Sequence, residues 1–269
     1  MAKYKKKRVR ELQHDRFRDT TMGFFDRLGE VLEGKGRTIL YALGGAILAG
    51  LLVMVFVRWS NKKSDEASQA LGRAITISTA DINPAPIPGS TDPTFGTEYD
   101  RAQSAIQEFE KVAAKYGDPY RAEARYFIAS NRLLVDRNKA LTELSELSNS
   151  SVPEVAALSK FALAQAKESD GKLDEAAQLY SALAKQNSTS VTSETANLRL
   201  AKVYNKQGKK KEAVDVLFNL VDASRKAKGE NNQPAPVSVA AREAATELQK
   251  LDPERYAQLP PETPPSLLG

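Results

Sequence analysis

One three-point pattern returns four times along this 269-residue chain, and it limits the available folds more than any other feature. An alanine is followed by large apolar residues four and seven positions later: Ala105, Phe109 and Val112; Ala140, Leu144 and Leu147; Ala176, Tyr180 and Leu183; Ala213, Leu217 and Leu220. That spacing lines one face of a helix. The successive alanines lie 35, 36 and 37 residues apart, so the chain carries an internal repeat. A repeat of this length cannot stay dry alone and buries its apolar face by stacking on its neighbour.

A second helix precedes each of the last two copies. Residues 161–176, FALAQAKESDGKLDEA, align without a gap on residues 198–213, LRLAKVYNKQGKKKEA. Gly171 and Gly208 share one place in that alignment, where a left-handed residue ends the first helix and lets the chain reverse. Ala164 and Ala201 are small residues one turn before the bend, as close hairpin packing requires. Residues 125–140 fit less closely, with Asp136 expected to cap the second helix. Ser151 with Glu154 reads as a capping box, and Asp118 before Pro119 reads as a cap ahead of a proline at the first helical position. Residues 83–95, NPAPIPGSTDPTF, hold four prolines and are expected to form a loop, and nothing alternates like a strand for long. A second break, GENNQPAP, spans residues 229–236. It precedes a last helix near 237–250 and a proline-rich tail expected to be extended or disordered.

Upstream lies TILYALGGAILAGLLVMVFV, residues 38–57, twenty positions without a charge between Arg37 and Arg58. As a helix it would be about 30 Å long, the hydrocarbon thickness of a bilayer. The expectation is one transmembrane helix, not a cleaved signal peptide, because the preceding segment is too long. The chain's formal charge of +5 resides in residues 1–37, which hold 11 Lys/Arg against 6 Asp/Glu; residues 58–269 hold 28 of each. The basic tail, including the run Tyr4–Arg10, reads as a topology signal that keeps the N-terminus inside and sends the C-terminal part outside, although Lys/Arg counts beside the span tie. Nothing in the neutral downstream charge argues for nucleic acid. Phe24, Phe25, Leu28, Val31 and Leu32 share a helical face that could rest at the membrane interface. Within the span, Ala42, Ala46 and Gly50 form a small-residue stripe suited to close approach by another membrane helix.

Several chemistries are excluded by composition. There is no cysteine, so disulfides, thiolate metal sites and a cysteine nucleophile are absent together. His14 is the sole histidine and sits in the basic tail, leaving the repeat region without a histidine base or metal ligand. Carboxylates are plentiful but scattered among lysines and arginines, which reads as solvated helix surface. The sequons Asn149-Ser150-Ser151 and Asn187-Ser188-Thr189 read as loop residues. No enzyme activity, cofactor or metal is expected.

The hairpin pattern resembles the tetratricopeptide repeat. The small residues Ala164 and Ala201 late in the first helix match its consensus, as do Ala176, Ala213 and Tyr180 in the second. The chain departs from that consensus in its longer period and in lacking the signature tryptophan. The fold class expected is therefore all-α: a single N-terminal transmembrane helix followed by a tetratricopeptide-like solenoid of three to four hairpins. Its parts are a cytoplasmic tail (1–37), the membrane helix (38–58), the repeat domain (59–228) and a C-terminal capping helix and tail (229–269).

This whole architecture is similar to the YfgM-like family of ancillary translocon subunits. The resemblance implies a bacterial inner-membrane protein with a periplasmic repeat domain, beside the Sec channel and a periplasmic chaperone or exported clients. The alternative is a structural scaffold of another envelope complex. If first helices line a concave binding face, projection from the repeat frame places Tyr126, Ser130, Phe161, Gln165, Lys202 and Asn205 on it.

Overall fold

The structure is a computed structural model that describes residues 62–83, 93–186, 188–229 and 233–262, with Leu51, Leu52, Met54 and Arg58 as isolated positions. The chain divides into two units, Met1–Asp65 and Glu66–Gly269. In the first, Leu51, Leu52 and Met54 are helical and more than half exposed. The rest of the expected span, the basic tail, the amphipathic segment before the span and the stripe Ala42, Ala46 and Gly50 lie outside the described residues. Among the described residues, no helix is long and apolar enough to cross a membrane.

The second unit is mostly helical. Its described helical residues 66–78 form α1. It is followed by α2 (Glu98–Lys115), α3 (Tyr120–Val135), α4 (Arg137–Leu147), α5 (Pro153–Ser169), α6 (Leu173–Ala184), α7 (Ser193–Lys206), α8 (Lys210–Lys226), α9 (Val239–Leu251) and the single turn α10 (Pro253–Tyr256). Each helix from α2 to α8 packs on the next in sequence, and in addition α3 meets α5 and α7 meets α9. The arrangement is a run of hairpins, α1/α2, α3/α4, α5/α6 and α7/α8, closed by α9.

Small residues at fixed positions allow the helices to approach. Ala105, Ala140, Ala176 and Ala213, the first points of the repeat, are all 0% exposed, and the apolar residues that follow them at +4 and +7 are buried as well. The core is layered, each layer drawing on three consecutive helices. The first joins Leu71 and Ala74 of α1, Phe109 of α2 and Ile128 of α3. The second joins Ala129 of α3, Leu144 of α4 and Leu163 of α5. The third joins Ala164 of α5, Tyr180 of α6 and Val203 of α7. The last joins Ala201 of α7, Leu217 of α8 and Leu248 of α9, with Leu259 beyond. The first helices of the later hairpins, α3, α5 and α7, are thus buried on two faces, one toward their own partner and one toward the preceding layer. Phe109 stacks on Phe127 at 4.9 Å between ring centroids, and Phe161 meets Tyr180 edge-on at 5.7 Å. Such pairs contribute about 0.5–1.5 kcal/mol beyond their buried area.

The bends form as the glycines predict. Gly171 and Gly208 have φ of +73° and +75°. At the first, the Gly171 N–H donates to the Glu168 carbonyl at 3.2 Å and the Lys172 N–H to the Lys167 carbonyl at 2.9 Å. At the second, Gly208 donates to Asn205 at 3.0 Å and Lys209 to Tyr204 at 2.9 Å. Both are Schellman closures, which satisfy carbonyls that the helix end leaves free. Asp136 caps α4 as expected, its carboxylate accepting from the Lys139 N–H at 3.1 Å.

Two expected caps differ. Helix α5 has Val152, not Ser151, at its N-cap, and an apolar side chain cannot accept a cap bond; the Glu154 carboxylate is engaged elsewhere, as described below. Helix α3 has Pro119, not Asp118, at its N-cap; the chain has already closed a turn there, the Arg121 N–H donating to the Gly117 carbonyl at 3.0 Å.

Of the expected loop 83–95, residues 84–92 lie outside the described residues, and its last two residues belong to a short ladder that the sequence did not suggest. Strand β1 (Asp81–Ile82) pairs in parallel with β2 (Thr94–Phe95), drawing the two ends of the insertion together. The Arg101 guanidinium adds a bond to the Ala80 carbonyl at 3.1 Å. At the other end the chain is anchored up to the start of the expected tail, whose residues 263–269 lie outside the described residues. Leu259 is buried in the last layer, Arg225 donates to the Pro260 carbonyl, and the Arg225 guanidinium lies 5.5 Å from the Tyr256 ring centre.

Candidate protein-binding surface

With two faces of α3, α5 and α7 committed to the core, only the remaining stripe of each can meet a partner. The six projected residues fall on these helices, two per helix, but their surroundings differ. Gln165 and Asn205 are exposed. Tyr126 and Phe161 are half-buried, packed against the second and third core layers respectively, and serve the stack as much as its surface. The Ser130 hydroxyl is buried and has no hydrogen-bond partner among the described residues. Lys202 is held by Glu243 of α9 at 2.5 Å, which keeps the Glu243 carboxyl below its usual range.

Lys202 belongs to a wider set of polar ties between hairpins. Lys206 pairs at 2.5 Å with Glu168 of α5, which also accepts from the Tyr180 hydroxyl at 3.1 Å. Burial first, and then the neighbouring Glu168 charge, push the Tyr180 hydroxyl upward from the usual tyrosine value. Arg137 clamps Asp170 at 2.7 Å across the α4/α5 boundary. Arg132, 9% exposed, lies between Glu110 of α2 and Glu143 of α4. Glu154, at the start of α5, accepts from the Ser188 hydroxyl at 2.9 Å, the Thr189 hydroxyl at 3.0 Å and the Thr189 and Ser190 N–H groups at 3.3 and 3.0 Å. These donors pull its carboxyl down to about 2. It clips the α6–α7 loop to the start of the hairpin before it.

Grooves lie along the second helices. One of 320 Å³ lies among α4, α5 and α6 and is lined by Leu141, Ser145, Leu163, Lys167 and Leu179, among others. A larger one of 680 Å³ is bounded by α6, by Tyr204 of α7 and by Lys209 in the α7–α8 bend. They are the same feature one repeat apart: Ala177, Ser181 and Tyr204 of the larger groove follow Leu141, Ser145 and Lys167 of the smaller by 36, 36 and 37 residues. Neither groove was anticipated, since each depends on how hairpins separate, not on any local motif. Among the described residues no group of three or more His, Cys, Asp or Glu could hold a metal ion.

No family model matches this chain, no curated protein is significantly similar to it, and no solved structure is a significant match. The class is therefore defined by the fold itself: a stack of helical hairpins with shared cores and a surface repeating at hairpin intervals.

Proposed function

We propose that this protein is a membrane-anchored protein-interaction module of the tetratricopeptide type, working at the outer face of a bacterial inner membrane close to protein export. The observation that carries the binding part is the two-sided burial of α3, α5 and α7. It supports reading their remaining faces and the grooves along the second helices as an extended surface of the kind stacked hairpins offer to other proteins. The charge-free run 38–57 and the basic residues before it support the anchor and its direction. The architectural resemblance supports the site of action: beside the Sec channel, with a periplasmic chaperone or emerging chains as partners.

Crosslinking in intact membranes is expected to recover the Sec channel or a periplasmic chaperone with the full chain, and recovery of an unrelated envelope complex alone would remove the export assignment. A reporter fused after Gly269 and active only outside the cytoplasm is the expected topology result; activity only inside would remove the orientation.

A further inference from the structure

The groove of 680 Å³ differs from its smaller counterpart in chemistry. Its floor along α6 is made of small or uncharged residues, Ala177, Gln178, Ser181 and Ala182, so a peptide backbone can lie close against the helix. A lysine stands at each end. Lys185 closes α6 and makes no ion pair with a described residue. Lys209 lies at the opposite end, 5.9 Å over the Tyr204 ring and 3.5 Å from the Asp174 carboxylate. Asp174 is 86% exposed, so this pair is a loose surface contact that an incoming carboxylate can exchange or share. Lys210 and Lys211 follow directly, both exposed and neither ion-paired with a described residue, and extend the positive field beyond that end of the groove.

We propose that this groove holds an extended, acidic peptide segment of a partner protein, with carboxylates at its two ends on Lys185 and Lys209. Spacing makes the proposal specific. From Asp174 to Lys185 the helix rises about 16 Å, which an extended chain crosses in about five residues. Because side chains of an extended chain alternate in direction, the segment that fits has acidic side chains about four or six residues apart, both facing the groove, with small or polar residues between them. The inference deepens the protein-binding reading and rests on it, but it is independent of the export assignment and of topology.

The test uses the purified full chain in detergent micelles and fluorescein-labelled deca-glutamate, with deca-glutamine as the uncharged control, read by fluorescence anisotropy. Saturable binding of deca-glutamate that weakens with added salt is expected. The double variant K185E/K209E is expected to bind it about tenfold more weakly, since two attractive contacts become repulsive. The variant Lys139→Glu, on the exposed face of α4 away from this groove, should bind as the parent does. Circular dichroism melting is expected to show both variants folded as the parent is. Deca-glutamate binding no tighter than deca-glutamine overturns the proposal. So does binding undiminished in K185E/K209E, which would place the peptide on another basic segment such as residues 1–37. Crosslinking that recovers no export component leaves a positive peptide result standing, so the two failures are distinguishable.

Discussion

Gly171 and Gly208 show how single residues decide where this chain turns. Each has a left-handed φ, and a Cβ added at either would meet nothing within 4 Å, so the whole cost of a larger residue is backbone strain. Gly171→Ala and Gly208→Ala are each expected to destabilise by about 1–2 kcal/mol, measured by urea unfolding of the repeat domain. Gly117 has the same open surroundings without a left-handed φ, so Gly117→Ala is expected to be close to neutral, and an equal loss at all three would refute the strain argument. These glycines were visible in the sequence because the bend is a local event: the residue type and its place in the repeat were sufficient. The Ser130 hydroxyl was projected outward and is buried, because a helical wheel gives a direction and cannot say that α3 would be covered on two faces. Sequence position likewise made Lys202 look free, when its partner Glu243 lies 41 residues away.

Among elements, the contacts that join one hairpin to the next are long-range in sequence yet cluster near the repeat length. Arg137 and Asp170 are 33 residues apart, Lys206 and Glu168 are 38, and Glu154 reaches donors 34 to 36 residues on. A capping box at Ser151 and Glu154 was a sound local reading, but two hydroxyls and two N–H groups of the next loop compete for the same carboxylate and hold it. The β1/β2 ladder escaped notice for a related reason, since two-residue strands carry no periodicity. The Glu154 clip has a pH signature. Its carboxyl titrates near 2 when folded, below its value in the unfolded chain, so it stabilises fully above about pH 4.5. That contribution fades as pH falls from there toward 2. Glu154→Gln is expected to lower the thermal midpoint at neutral pH and to flatten its decline between pH 5 and 2. If the parent and the variant lose midpoint in parallel over that range, the clip is not what titrates.

Across the whole molecule, the layered core implies that stability is shared between neighbours and not concentrated at a centre. Four layers cover the length from α1 to Leu259, and α3, α5 and α7 each belong to two of them, so a defect in one layer should weaken its neighbour before it reaches a distant one. The C-terminal layer offers a clean place to introduce it. Leu248 of α9 is 0% exposed and packs with Leu198, Leu217 and Val221. Leu248→Ala should cost about 2–5 kcal/mol locally, the usual range for a buried leucine replaced by alanine. Amide hydrogen exchange read by mass spectrometry is expected to show the largest loss of protection in α7, α8 and α9, a smaller one in α5 and α6, and almost none in α2 and α3. A uniform loss from α2 to α9 would mean that the hairpins fold as a single cooperative block, and the nearest-neighbour account of this stack would have to be abandoned. The same gradient bears on binding. A partner seated between α6 and Lys209 contacts the third layer and the bend of the fourth hairpin, so it should protect α6 to α8 against exchange and leave α2 and α3 unchanged.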